Sequence, residues 1–248
     1  HTPLAQRGGG RLSRDPARDP ERHMFMFTRT SFVASAMTAA FLPVAASASV
    51  VLPAIETFDT GAAAWFDGGS VAEVDWVASG GVGGSGHVTD TIDLPTSPPP
   101  FGLTAFRAQD EFGSSGGIFE GDWIAAGATE LRFSVRHDGP APISFFARFA
   151  SPANFPAAAG VVFTPVLPGV WTELAVDLAP DSPQLVLEGV TYEQVFSNIG
   201  HLQIGFDPGD LGGFPLTVDL DSVVLVPTPA ALPMLLLGLA GVAGRRRG

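Results

Sequence analysis

The chain has 248 residues, enough for one or two domains, and 46% of them are apolar against 15% charged. Its 30 Gly and 22 Pro call for many turns without reaching the level that signals disorder. The 13 basic residues, every one an Arg, face 25 acidic ones for a net charge of -12, which excludes a nucleic-acid partner in the absence of a basic stripe. The lack of Cys excludes thiolate nucleophiles, iron–sulfur clusters, Cys-ligated zinc and disulfides.

Residues 1–23 are polar, carry five Arg and show no apolar periodicity, so this segment reads as disordered or as sequence upstream of the true start. Residues 24–48 have the three parts of a secretory signal: Arg29 as the charged region, Ser31 to Val44 as the apolar region, and Ala46-Ser47-Ala48 as a small-residue cleavage site. Signal peptidase is therefore an expected partner, and Ser49 the expected mature N-terminus.

From Ser49 to Val226 the body has 22 acidic residues and four Arg (Arg107, Arg132, Arg136, Arg148), a formal charge of -18. Short period-two segments recur between Gly, Pro, Asp and Ser clusters, among them Ala72 to Trp76, Leu131 to Arg136, Trp171 to Leu178, Leu202 to Phe206 and Val218 to Asp221. One short helical turn is expected around Glu188 to Phe196. Many short strands with turns about ten residues apart predict an all-β chain built on one antiparallel sandwich over residues 49–226. The glycine-rich Ser79 to Gly86 segment and Pro95 to Pro100 read as loops.

Four groups of residues could carry chemistry. Asp219 and Asp221 alternate with Leu220, so both carboxylates leave one strand face; such a pair is either solvated or bridged by a cation, for which calcium is the natural choice. Arg132, Arg136, Phe146 and Arg148 would share an outward, sugar-binding face if Phe133, Val135, Phe145 and Phe149 point inward. His87, His137 and His201 lack metal-ligand spacing, so they read as structural and zinc or iron is not expected. Trp65, Trp76, Trp123 and Trp171 read as core. No Gly-x-Ser-x-Gly elbow occurs, and Gly113-Ser114-Ser115-Gly116 has the wrong spacing for one, so the expectation is a non-enzymatic protein.

The chain ends in Pro227-Thr228-Pro229, an apolar run from Ala230 to Gly244, and Arg245, Arg246 and Arg247. A helix of about 15 residues covers roughly 22 Å, short of the roughly 30 Å hydrocarbon core but able to cross by local thinning and arginine snorkelling. The arginines would keep the C-terminus cytoplasmic and the body on the exported side.

This tail, residues 227–248, resembles the PEP-CTERM sorting tag of Gram-negative bacteria, with Thr228 where Glu is usual. The resemblance implies transient anchoring in the inner membrane, processing by an exosortase-type protease, and delivery to the cell surface or exopolysaccharide matrix. The body resembles the galactose-binding-like jelly rolls of carbohydrate-binding modules. That likeness rests on Glu56-Thr57-Phe58-Asp59 with Trp65 downstream, Gly121-Asp122-Trp123, Pro168 to Leu174, and the closing Val218 to Leu225. It implies a polysaccharide ligand and a structural calcium joining first and last strands, which would bring Glu56 or Asp59 to Asp219 and Asp221; no other cofactor is expected. A purely structural matrix protein and a secreted polysaccharide-active enzyme are the alternatives.

Overall fold

The computed structural model describes residues 50–97, 102–161 and 164–228. The expected signal segment, the apolar run, Pro229 and Arg245 to Arg247 lie outside the described residues. Among those described, no helix is long and apolar enough to cross a membrane.

Twelve strands are described: β1 (Ala54–Glu56), β2 (Phe66–Asp67), β3 (Asp75–Val77), β4 (His87–Asp93), β5 (Leu103–Gln109), β6 (Ala128–His137), β7 (Ser144–Ala150), β8 (Ala157–Val161), β9 (Thr172–Asp177), β10 (Leu185–Leu187), β11 (His201–Asp207) and β12 (Pro215–Pro227). Two short helices, α1 (Trp123–Ala126) and α2 (Tyr192–Phe196), cap the apolar interior. Sheet one has the order β3-β4-β12-β6-β9, with β1 also on β12; sheet two has the order β10-β8-β7-β11-β5-β2. The pairings within both are antiparallel, so the expected all-β body is present as two stacked sheets over one core.

Alternation decides which residues make that core. On β6, Leu131, Phe133 and Val135 are fully buried while Arg132 is exposed, and on β7, Phe145, Ala147 and Phe149 are buried while Phe146 and Arg148 are half-buried. Fully burying one such aromatic or aliphatic side chain contributes about 1.5–3 kcal/mol, so these facing rows outweigh the weak local preferences of short strands. β12 keeps its apolar residues inward by a phase change. Leu216, Val218 and Leu220 face the core up to a register shift after Asp221, where Ser222 has a φ of 52°, and beyond it Val223 and Leu225 face the core instead. The bulge also separates two neighbours on one edge of β12: β4 pairs before it and β1 after it.

Two of the four tryptophans are core. Trp65 meets Phe58 edge-on at 5.5 Å and donates to Ser115 Oγ at 2.8 Å; Trp123 meets Phe149 at 5.4 Å and donates to the Phe119 carbonyl at 2.7 Å. Trp76 and Trp171 correct the expectation. Trp76 is 39% exposed on the edge strand β3, and Trp171 is half-buried on the outer side of sheet one. Each satisfies its indole N–H on a loop carbonyl, at Phe58 and at Gly80. The helical turn expected near Glu188 to Phe196 is α2, started by a reciprocal cap between Thr191 and Gln194.

Candidate functional site

Arg132 and Arg136 stand on sheet one, Phe146 and Arg148 on sheet two. The inward phasing of Phe133, Val135, Phe145 and Phe149 is as the sequence suggests, yet the four outward residues do not share a face. Consecutive strands β6 and β7 cross between sheets, so their outward sides look in opposite directions from the core.

The outer face of sheet one is closed by its own charges. Arg136 donates from Nε to Asp219 Oδ2 at 2.7 Å, lies 4.6 Å from the Trp171 ring centroid, and reaches the Gly80 carbonyl at 3.2 Å. Asp221, fully buried, accepts from Val82 N and Ser85 Oγ through one oxygen and from Ser222 N through the other. The glycine-rich segment is therefore not a free connection: it lies over β12, and a Cβ at Gly81 would come within 2.6 Å of Asp221 Oδ2. His87 packs beside this cluster, edge-on to Trp171, and burial pushes its imidazole pKa down while Asp219 opposes and Arg136 reinforces the shift.

These contacts bear on the calcium bridge expected among Glu56, Asp219 and Asp221. Asp219 and Asp221 share a face as expected, but they are buried; Asp219 Oδ2 takes the Arg136 guanidinium, and both Asp221 oxygens take backbone N–H donors, one of them the Ser85 hydroxyl as well. Glu56 pairs through its backbone with Val223 and accepts from Phe58 N at 2.9 Å, so β1 closes onto β12 by ladder hydrogen bonds. Glu56, Asp219 and Asp221 form no shared ligand group; among the described residues, the group of three close enough to hold one ion is Asp110, Glu111 and His201.

Sheet two presents a different outer face. The register places Phe66, Arg107, Gln203, Arg148 and Ala159 side by side on β2, β5, β11, β7 and β8. Neighbouring strands are about 4.8 Å apart, so the two arginines stand roughly 10 Å apart with a carboxamide between them. Phe66 stacks on Phe112 at 3.8 Å and 22°, which makes a half-buried aromatic shelf at the Arg107 end. Phe146 lies one position along, its ring over Gly205 and Gly102, where a Cβ would fall within 2.4 and 2.7 Å of ring atoms.

The four body arginines differ in what they hold. Arg132 pairs with Glu130, Arg136 with Asp219, and Arg148 with Glu188 in a two-pronged contact at 2.9 and 3.1 Å. Arg148 also donates to Asn154 Oδ1 at 2.8 Å, which fixes the Ser151 to Phe155 turn beside the sheet. Arg107 is the exception. Its Nε donates to the Gly68 carbonyl at 2.8 Å, and among the described residues no carboxylate lies within ion-pair distance of its guanidinium. Burial lowers its pKa, Arg148 adds to that, and Asp67 only partly offsets it. In a body of charge -18, one arginine is held half-desolvated, near another cation and beside an aromatic shelf. Its signal in the sequence is the outward phase of Arg107 and Gln109, alternating with Phe106 and Ala108.

His137 is structural as expected: it accepts from Gly139 N at Nδ1, so Nε2 carries the proton toward the Val166 carbonyl at 2.9 Å. A shallow depression of about 340 Å³ between the β6–β7 turn and the β11–β12 loop is lined by Ile143, Asp207 and Leu211 among others, and lies apart from these polar rows.

No known family model matches the chain, and no curated protein sequence matches it. Solved structures similar to it include the CBM22-1–GH10 modules of xylanase 10B from Clostridium thermocellum, 17% identical with a TM-score of 0.45, the match covering 72% of this chain and 29% of that one. A family 11 carbohydrate-binding module from the same organism is 12% identical at a TM-score of 0.43, covering 73% and 97%. The CBM22-1 xylan-binding domain of Paenibacillus barcinonensis Xyn10C is 14% identical at 0.43, covering 73% and 99%.

Proposed function

We propose that this chain is an exported surface or matrix protein whose sandwich binds polysaccharide on the outer face of sheet two, without catalysis. The observation that carries the binding reading is Arg107, a half-buried guanidinium lacking a carboxylate partner, set between the Phe66–Phe112 shelf and Gln203. Each part suits a sugar. An aromatic face covers the apolar side of a pyranose ring, and a planar guanidinium donates two parallel hydrogen bonds to paired hydroxyls or to a uronic carboxylate. Arg107 and Phe146 are the proposed contacts, while Arg148 holds Asn154 and acts on position. Arg132 and Arg136 have no part in this face.

The export reading rests on residues 24–48 and on the tag-like tail, where the arginines act as the cytoplasmic anchor of a short apolar helix. The cell surface or extracellular matrix is its expected location, with signal peptidase and an exosortase-type protease as processing partners.

Affinity electrophoresis of the body through gels containing neutral or acidic exopolysaccharides tests the binding reading. Retardation by at least one polysaccharide supports it. Unretarded migration in every gel leaves a purely structural matrix protein, and chain shortening of any of these polymers replaces the reading with an enzyme.

A further inference from the structure

We propose that Asp110, Glu111 and His201 bind one divalent first-row transition-metal ion, with Zn²⁺ the best match, at the end of sheet two. The site does not depend on the polysaccharide reading.

β5 ends at Gln109, and the following 3-10 turn, Asp110–Phe112, places two consecutive carboxylates over the start of β11, where His201 pairs with Gln109. His201 Nε2 lies 3.3 Å from Asp110 Oδ1 and 3.0 Å from Glu111 Oε2, and the ligand atoms of all three lie within 4.8 Å of one another. A tetrahedral zinc with bonds near 2.0–2.2 Å sets its ligand atoms about 3.4 Å apart. The 3.3 Å separation from Asp110 matches that edge length, and the 3.0 Å one from Glu111 is shorter than it by about 0.4 Å.

The second observation is the state of the imidazole itself. The His201 side chain is only 4% exposed, yet Nε2 makes no hydrogen bond, and Asp110 Oδ1 beside it is also buried without one. A buried polar atom without a hydrogen-bond partner costs about 1–3 kcal/mol, and one cation bound beside both atoms would satisfy the two together.

The other ring nitrogen, Nδ1, faces two side-chain amides. Arg148 can only donate, so the Asn154 atom it meets at 2.8 Å is the carbonyl oxygen. That oxygen lies 3.5 Å from His201 Nδ1 and can accept an N–H there, while the Gln109 carboxamide meets the same nitrogen through its Nε2 at 3.4 Å, its oxygen accepting from Ser70 Oγ at 3.1 Å. With the proton on Nδ1, the Nε2 lone pair points at the carboxylates, the arrangement usual for a metal-bound imidazole. A nitrogen ligand and only two carboxylates favour a transition ion over calcium, which takes six to eight oxygens. Glu111 is 55% exposed, so the remaining coordination positions open toward solvent.

Isothermal titration of the chelator-treated full chain with Zn²⁺ tests the site, with Co²⁺ absorption as a second readout. The expected result is one equivalent bound, a rise in melting temperature, visible Co²⁺ bands, and none of these with Ca²⁺. Glu111→Gln, which alters an exposed side chain and keeps the fold, should weaken binding at least tenfold, and His201→Gln should abolish it. Two results overturn the proposal: no stoichiometric uptake by the wild type, which leaves an imidazole–carboxylate ion pair only, or uptake undiminished in Glu111→Gln.

Discussion

Arg136 and Asp219 occupy paired positions on β6 and β12 and join at 2.7 Å beneath the Trp171 ring, which places the only outward carboxylate pair of β12 under internal control. The first expected outcome follows from this. Asp219→Ala strands a largely desolvated guanidinium and should cost about 2 kcal/mol in denaturant unfolding, between the loss of a charged hydrogen bond and that of a fully buried ion pair. Calcium should leave the wild-type melting curve where chelator puts it. A calcium-dependent rise that disappears in Asp221→Ala would restore the cation bridge.

His87 gives a pH signature. Its folded pKa lies below the unfolded value of about 6.5, so the unfolded chain takes up the proton first as pH falls. The stability it contributes is complete above pH 6.5 and is lost as the pH drops through the folded pKa. Asp90, Asp110 and Glu120 are shifted upward by burial and act in the opposite sense at lower pH, so the comparison must be with His87→Gln. Chemical denaturation between pH 7 and 5 should show a decline in the wild type that is shallower in that variant. Parallel curves would assign the decline elsewhere.

Gly205 supports the Phe146 ring. A methyl at this position would meet Phe146 Cζ and the Leu103 carbonyl, both at 2.4 Å. Gly205→Ala should therefore cost about 1–3 kcal/mol and lift the ring from sheet two, weakening polysaccharide retention beyond the loss of stability. Unchanged retention at a temperature where the variant is fully folded would remove Phe146 from the binding face.

The ends of the chain make their own prediction. Exported protein should begin at Ser49 by intact mass, and replacing Arg245, Arg246 and Arg247 with neutral residues should reduce membrane retention and processing if the proposed tag is what these residues form, since an apolar run of about 15 residues is short for a bilayer and would depend on those charges. Retention of Phe32 to Ala48 in the exported form, or unaltered fractionation of the variant, would contradict the export account.

Alternation made the two-sheet body legible because facing every second residue to the core leaves a period in the sequence, most clearly on β9. β8 was hidden: Ala157-Ala158-Ala159-Gly160-Val161 has no polar phase, and its glycine is needed because a Cβ there would come within 2.4 Å of Val176 across the core. β12 was legible only to Asp221, since the Ser222 bulge breaks the period. The site fared worse for a topological reason. Outward residues on consecutive strands look like neighbours in sequence, but β6 and β7 belong to different sheets. Arg107 and Gln203 are 96 positions apart in number and become register partners through β5 and β11. His201 likewise has no metal-ligand spacing along the chain, and the same pairing brings it to Asp110 and Glu111.

The most direct test of the central claim is the dissociation constant of Arg107→Ala, beside Arg132→Ala, for the polysaccharide that the wild type retains. A guanidinium to which the described residues give no carboxylate partner, beside the Phe66–Phe112 shelf, should be worth at least tenfold in affinity, about 1.4 kcal/mol, while Arg132, paired with Glu130 on the opposite sheet, should be worth nothing. Equal affinity of the wild type and Arg107→Ala, or a loss confined to Arg132→Ala, would contradict binding on sheet two.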